Sequence, residues 1–318
     1  MQLFIKSVWL MLAGAVFFGL AGLVAVWAPD KTVDELRGRW APAPSRFVAI
    51  DGLQVHLRDE GPRDDPLPIV LIHGTSDSLH TWDGWAAELR QRRRVIRFDL
   101  PGFGLTGPNL DNDYSIARYV AFVAAVLDQL EVRHCVLGGN SLGGQIAWAV
   151  ALAMPQRVRQ LVLVDAGGYP AQPQAVPLAF TLARTQGARW LLQYVLPRGL
   201  VKSSLRNVYG DPSKVTPELV DRYYDMALRA GNRRVLGYRM DTGLAGESAR
   251  IQDLALPTLV MWGGRDRLIP LQFGRRFARD IAGSRLVVFD ELGHLPQQED
   301  PVRTVVELQR FLASKLPN

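Results

Sequence analysis

In this chain of 318 residues, Ser141 is the strongest candidate for a catalytic residue. It lies at the centre of the run G-N-S-L-G, residues 139–143, between a strand-like and a helix-like stretch. A serine in a tight strand-to-helix turn has a strained backbone, and Gly139 and Gly143 supply the room it needs. The turn exposes the hydroxyl as a nucleophile and puts the Leu142 N–H at a helix N-terminus, where it stabilises a developing oxyanion. The alternative is an ordinary glycine-rich turn with a helix-capping serine.

A serine hydroxyl near neutral pH needs a base, and the base needs an acid that orients it. Among the five histidines, His294 lies in a loop after the last predicted strand, which favours it as the base. Asp266 follows another predicted strand, and the order Ser141, Asp266, His294 is that of serine hydrolases built on an α/β sheet. Asp165, at the end of the predicted sixth strand, is the alternative acid, since it could reach the same imidazole.

The second oxyanion donor is expected in the loop after the apolar stretch 68–72. The Thr75 N–H is the candidate, and Gly74 lets the backbone approach the substrate. His73 is expected to order this loop by hydrogen bonds rather than to react. The loop therefore supplies the supporting half of the predicted site.

Alternating apolar strands and helices must position these residues. Residues 47–166 and 251–318 show this alternation, which predicts a mostly parallel sheet covered by helices on both faces. Residues 167–250 break the rhythm with helical, aromatic and proline-interrupted sequence, which predicts an inserted helical cap. Some cap aromatics should line an apolar pocket above Ser141. Four cap arginines could grip an anionic group or lie on solvated helix faces: Arg184, Arg189, Arg233 and Arg234.

The glycine run 102–107 matches the dinucleotide fingerprint G-x-G-x-x-G, with Asp128 about twenty residues further on. The fingerprint requires the last glycine to open a helix, but the loop-forming run 108–113 follows. We therefore predict no nucleotide site, and we predict no metal site either.

The N-terminus has the composition of a membrane anchor. No charged residue occurs from Val8 to Ala28, which is long enough to cross a bilayer, and Trp9 and Trp27 lie near the two ends. Residues 1–28 are predicted to be an uncleaved single-pass anchor, with a cleaved signal segment as the alternative. Residues 29–46 are predicted to be a linker. The charges flanking the span leave the side of the catalytic domain open.

Composition limits the partners. The net charge of +6 and pI of about 9.7 come from scattered arginines without a basic, aromatic-interleaved block, so no nucleic-acid site is predicted and attraction to an anionic membrane is the expected consequence. The single cysteine, Cys135, excludes an internal disulfide and a four-cysteine zinc site, and we expect it to be buried. The oligomeric state is not predicted.

Over roughly residues 45–315 the chain resembles the α/β-hydrolase superfamily. The resemblance rests on five motifs in order: His73-Gly74, the run 99–104, the run 139–144, Gly264-Arg265-Asp266 and Gly293-His294. It implies an eight-stranded, mostly parallel sheet, a cap after the sixth strand, a covalent acyl-enzyme and no cofactor.

Within the superfamily the motifs are similar to monoacylglycerol-lipase-like esterases and to meta-cleavage-product hydrolases, which cleave carbon–carbon bonds. The latter typically carry Trp after the base histidine and a glycine-rich loop after His-Gly, whereas this chain has Leu295 and the run 75–77, Thr-Ser-Asp. The first hypothesis is therefore a membrane-anchored serine esterase acting on apolar, lipid-like acyl esters. The alternatives are carbon–carbon hydrolysis of a vinylogous diketone acid, for which an arginine must hold the carboxylate, and a non-catalytic scaffold.

Overall fold

A computed structural model describes residues 26–170, 174–241 and 247–314, together with the isolated positions 4, 9, 14, 22 and 24. The strands are β1 (Arg46–Ile50), β2 (Leu53–Glu60), β3 (Ile69–Ile72), β4 (Val95–Phe98), β5 (Cys135–Asn140), β6 (Val158–Val164), β7 (Thr258–Gly263) and β8 (Arg285–Phe289). The helices of the core are α1 (Val33–Trp40), α2 (Asp83–Leu89), α3 (Ile116–Gln129), α4 (Leu142–Ala153), α10 (Gln272–Asp280), α11 (Pro296–Glu299) and α12 (Pro301–Ala313). The helices between β6 and β7 are α5 (Leu178–Arg184), α6 (Gln186–Leu192), α7 (Arg198–Val208), α8 (Pro217–Leu228) and α9 (Asn232–Asp241).

The eight described strands form one sheet in the order β1-β2-β4-β3-β5-β6-β7-β8. β1 and β2 are antiparallel to their neighbours, and every pair from β4 to β8 is parallel. The predicted α/β fold with a mostly parallel eight-stranded sheet is confirmed. Parallel strands end at one edge, so the loops after β3, β5, β7 and β8 gather the predicted site residues there.

The first two strands illustrate how local sequence sets local structure. Asp51 and Gly52 connect β1 to β2 with φ values of 53° and 78°. A two-residue turn with both φ values positive matches the twist of a hairpin, and the Asp-Gly pair tolerates it. The hairpin places Leu57 opposite Phe98 of β4 and so starts the sheet.

The sheet is buried on both faces. One face packs under α3, α4 and α10 and includes Phe122, Ile146 and Phe277. The other packs under α2 and α12 and includes Trp85 and Leu308. Cys135 is buried in β5, and burial raises the pKa of its thiol to about 12, so it is a core residue as predicted.

The membrane localisation predicted from the N-terminus requires correction. Within residues 26–170, 174–241 and 247–314 and the five isolated positions, no helix is long and apolar enough to cross a bilayer. Most of the predicted span lies outside the described residues. Its described end packs on the cap, because the Ala28 N–H donates to the Tyr194 carbonyl at 2.9 Å and Trp27 stacks on the Tyr194 ring.

Residues 29–46, predicted to be a linker, contain helix α1 and bind the cap. Thr32 caps α1 by accepting a hydrogen bond from the Glu35 N–H. Asp225 of α8 accepts hydrogen bonds from Lys31 Nζ at 2.7 Å and from the Trp40 indole at 2.8 Å. The composition of this stretch matches that of a linker, but its charged and aromatic side chains have partners far away in sequence.

Replacing Asp225 with alanine is expected to lower the free energy of unfolding by about 1–3 kcal/mol, because the buried indole N–H of Trp40 then lacks its acceptor. Urea denaturation measures the change. The control is Asp34→Ala on α1, the helix that carries Trp40; the exposed ion pair of Asp34 with Arg37 is expected to contribute less than about 0.5 kcal/mol. Equal effects of the two changes would contradict the packing described for α1.

Candidate active site

The turn at Ser141 joins β5 to α4. Ser141 has φ 55° and ψ −117°, a strained conformation for a residue with a side chain. A Cβ on Gly139 would lie 2.1 Å from the Gly143 carbonyl oxygen, and one on Gly143 would lie 2.2 Å from that of Ile72. Both glycines are therefore required by close backbone contacts, and Leu142 becomes the first residue of α4, where its N–H has no acceptor within the helix.

His294 and Asp266 are hydrogen-bonded to each other. His294 Nδ1 lies 2.7 Å from Asp266 Oδ2, and the two residues are 4 % exposed. The second Asp266 oxygen accepts the N–H groups of Leu268 and Ile269 at 2.8 and 2.9 Å. These bonds fix the carboxylate, which in turn orients the imidazole, with Nε2 left for a proton from a hydroxyl.

Asp165, the alternative acid, lies beside this pair. Its Oδ1 accepts the Gly263 N–H at 2.9 Å, and its Oδ2 accepts no hydrogen bond from a described residue. Burial, followed by repulsion from Asp266, raises the pKa of Asp165 well above its usual range. A neutral Asp165 next to a charged Asp266 avoids two adjacent buried negative charges.

A cation could in principle use the same residues. One ligand atom each from Asp165, Asp266 and His294 lies within 4.8 Å of the others, which makes them a candidate metal group among the described residues. In the direct hydrogen bond the His294 Nδ1–H donates to Asp266 Oδ2, so Nδ1 has no free lone pair for a metal and Oδ2 already uses one of its own. The donor set therefore fits an acid–base pair better than a metal centre.

The loop after β3 lies against the nucleophile. Gly74 approaches Ser141 so closely that a Cβ at position 74 would be 3.1 Å from the serine Cβ. His73 Nε2 accepts the Leu100 N–H at 2.9 Å, so the proton is on Nδ1, which donates to the Gly74 carbonyl at 2.7 Å. His73 thus bonds to the loops after β3 and β4 and is 0 % exposed.

A cavity of about 240 Å³ lies between the core and the cap. Ser141, His294, Gly74 and Thr75 all line it, so the predicted nucleophile, base and second oxyanion loop share one space. Most of the remaining lining is apolar and comes from the cap: Val176, Pro177, Phe180, Leu192, Leu196, Val201, Leu205, Met226, Leu236 and Met240. Of the four cap arginines named from the sequence, Arg184 and Arg233 line the cavity.

Three polar residues that contact the histidine loop or line the cavity were not identified from the sequence. The Asn140 amide donates to the carbonyls of Val164 and His294 at 3.1 and 3.0 Å. Glu299 accepts the N–H groups of Gly293 at 2.9 Å and of cap residues 210 and 211 at 3.0 and 2.8 Å. Asp77 lines the cavity. The sequence signal for Asn140 and Asp77 was their position next to Ser141 and to the loop of Gly74 and Thr75. Glu299 gave no such signal, because its cap partners are distant in sequence.

The His294 loop is also joined directly to the cap. The His294 N–H donates to the Val208 carbonyl at 2.7 Å, and Glu299, 7 % exposed, connects the same two segments through three N–H groups. A carboxylate accepting several backbone N–H groups forms charge-assisted bonds, which are stronger than neutral ones. The cap therefore helps to position the imidazole.

The sequence pattern of the alpha/beta hydrolase fold family matches residues 68–301, more than half of the chain. The chain belongs to the α/β-hydrolase family. The match spans the nucleophile turn, the cap and the histidine loop, so the resemblance inferred from five motifs is confirmed.

Several α/β-hydrolases are similar to the chain along most of their length. A 2-hydroxymuconate semialdehyde hydrolase of Pseudomonas sp. is 32% identical over 86% of this chain and 95% of its own. A 2-hydroxy-6-oxo-2,4-heptadienoate hydrolase of Pseudomonas putida is 31% identical over 85% and 96%. A structure of the meta-cleavage product hydrolase from Pseudomonas fluorescens superposes with a TM-score of 0.73 at 26% identity, covering 84% and 97%.

Exchanging each aspartate for asparagine distinguishes the two candidate acids. Asp266→Asn is expected to lower kcat by about ten-thousandfold, since an amide does not hold the imidazole in the required tautomer. Asp165→Asn replaces a neutral acid with a neutral amide of the same shape and is expected to change kcat by less than about tenfold. Steady-state hydrolysis of an activated aryl ester measures both, and a larger loss in Asp165→Asn would transfer the acid role to Asp165.

Proposed function

We propose that the chain is a serine hydrolase that cleaves a carbon–carbon bond in a vinylogous diketone acid, the reaction type of meta-cleavage-product hydrolases. The proposal assigns Ser141 as nucleophile, His294 as base and Asp266 as the acid that orients it. The observation that carries it is a cationic group, with two donors that have no partner among the described residues, in the wall of a cavity whose lining is mostly apolar. The 31–32% identity to two hydrolases named for conjugated carboxylates supports the same substrate class.

The cationic group is Arg233 of α9. Its Nη2 donates to Asp30 at 2.5 Å, and its Nε and Nη1 are buried with no partner among the described residues. Buried guanidinium donors without acceptors are costly, and a planar guanidinium matches a carboxylate in geometry. A substrate with a carboxylate at one end and an apolar body fits this combination better than a plain acyl ester does.

The proposed cycle follows from the site geometry. His294 takes the Ser141 proton as Oγ attacks the carbonyl remote from the carboxylate, and the Leu142 and Thr75 N–H groups stabilise the oxyanion. Collapse breaks the adjacent carbon–carbon bond, and the departing carbanion, delocalised into the conjugated acid, takes the proton from His294. Water, deprotonated by His294, then cleaves the acyl-serine. The products are a carboxylic acid and a hydroxydienoate.

Ester hydrolysis is the second candidate. It is favoured by Leu295, which follows the base histidine and packs in a cap cluster with Leu205 and Tyr209 instead of contributing the tryptophan typical of the carbon–carbon hydrolases. Both candidates use the same acyl-serine, so they differ in the leaving group rather than in the catalytic residues.

A direct comparison of substrates tests the proposal. Purified protein is expected to consume 2-hydroxymuconate semialdehyde or 2-hydroxy-6-oxo-2,4-heptadienoate, and the loss of dienolate absorbance measures the reaction. The kcat/KM for these substrates is expected to exceed that for p-nitrophenyl esters of any acyl length. Ser141→Ala is the blank and is expected to lose about a millionfold in kcat. Turnover of esters alone would establish the esterase. Turnover of neither substrate by folded protein would support the scaffold interpretation.

Arg233→Gln is expected to raise KM for the dienoates by about 10–100-fold, since one charge-assisted carboxylate contact is lost, and to leave ester kinetics unchanged. Asp30→Asn is the matched control, because it breaks the Arg233–Asp30 pair but keeps the guanidinium. Arg234→Gln removes a neighbouring, exposed arginine. If all three variants shift KM alike, Arg233 does not bind the substrate carboxylate.

A further inference from the structure

Asp77 is a buried carboxyl group of the cavity wall that the proposed reaction does not use. It follows the oxyanion loop, and its N–H donates to the Gly74 carbonyl at 3.3 Å. The side chain is 4 % exposed, and Oδ1 accepts the Ser78 N–H at 2.8 Å. Oδ2 is buried and accepts no hydrogen bond from the described part of the chain. A buried carboxyl oxygen without a protein partner in a cavity wall is available to a polar atom of a ligand.

The groups that face Asp77 come from the core and the cap. His73 lies at the end of β3, Arg222 and Tyr223 belong to α8, and Tyr209 follows α7. Tyr223 lines the cavity with Asp77, and its hydroxyl lies 3.3 Å from Gln298 Nε2. Because Gln298 is the donor in that contact, the Tyr223 hydroxyl keeps its own proton, which it can share between the adjacent Asp77 carboxyl and a ligand oxygen.

This part of the wall is distinct from the one that carries Arg233. Tyr223 packs against the cluster that contains Leu295, on the side of the histidine loop. The start of α9 lies over the loop after β4, where Asn232 donates to the Gly104 carbonyl at 2.9 Å. Arg233, Asp77 and Tyr223 line the same cavity, so a substrate whose carboxylate binds Arg233 has its other half, the acyl half, left to contact Asp77 and Tyr223.

We propose that Asp77 and Tyr223 form a hydrogen-bond-donating subsite for an oxygen substituent on the acyl half of the substrate. The assignment to the acyl half rests on the proposed function; the donor pair itself does not. The ligands that fit are acyl groups with a keto, hydroxyl or carboxyl oxygen a few bonds from the scissile carbonyl. Purely aliphatic acyl groups would leave the buried polar atoms unpaired, which discriminates against them.

The subsite requires Asp77 to be neutral. Burial raises the pKa of Asp77 above its usual range, although the nearby His73 and Arg222, the Ser78 N–H and the Tyr223 hydroxyl all act in the opposite direction. The raised pKa means that the folded chain keeps this proton at pH values where an exposed aspartate has lost it. Donation from Oδ2 is present below that pKa and is lost as the pH rises through it.

Binding of two product acids tests the subsite without requiring turnover. Levulinate and valerate differ by one keto oxygen, and their dissociation constants are measured by calorimetry on the full chain. The wild type is expected to prefer levulinate by about tenfold or more, the effect of one buried hydrogen bond. Asp77→Leu, which has no donor, is expected to reduce the ratio to about one, and Tyr223→Phe to reduce it in part. Asp77→Asn retains a donor and is expected to keep the preference.

The pH dependence gives an independent readout. The levulinate preference of the wild type is expected to fall as the pH rises, whereas that of Asp77→Asn is expected to stay constant, since an amide does not titrate. No preference in the wild type, or an equal preference in Asp77→Leu, overturns the subsite. Failure of all dienoates and esters to react, with the acid preference intact, overturns the proposed reaction alone.

Discussion

The strained backbone of Ser141 is the constraint on which the site depends. A serine at φ 55° leaves β5 and enters α4 without an intervening loop, so its hydroxyl points away from the sheet edge. Such a conformation persists only where the surroundings determine it, and here the backbones of residues 139, 143 and 72 touch with no room for a side chain. The local strain is offset by the buried sheet beneath, in which β5 is flanked by β3 and β6.

The remaining parts of the site come from other strand ends of the same sheet. Asp266 follows β7 and His294 follows β8, and their hydrogen bond spans two loops whose separation is set by strand spacing. Asp165 follows β6 and lies beside them, and burial together with Asp266 raises the pKa of its carboxyl well above the usual range. The sheet brings two carboxyl groups and one imidazole together: the Asp266 carboxyl bonds to the imidazole, whereas burial favours the protonated form of Asp165.

The sequence predicted the parts of the site that depend on local pattern. Strand–turn–helix periodicity and glycine spacing selected Ser141, Gly74 and the histidine loop as candidates, which line one cavity, because their local structure depends on residues only a few positions away. It did not predict Glu299 or Asp77, because their roles depend on residues that only folding brings near. The same limit explains residues 29–46. Their composition is that of a linker, yet Lys31 and Trp40 both bind Asp225. The composition of residues 29–46 shows that the segment is polar, but it does not show which distant residues the segment binds.

The Asn140 side chain couples the two ends of the proposed proton transfer. Its amide nitrogen donates to the carbonyl of His294, 154 positions away, while its backbone leads directly into the serine. One residue therefore connects the Ser141 turn to the His294 loop. In the pattern G-x-S-x-G the second position is written as free. In this chain that position is Asn140, and its side chain helps to fix the position of the His294 loop relative to Ser141.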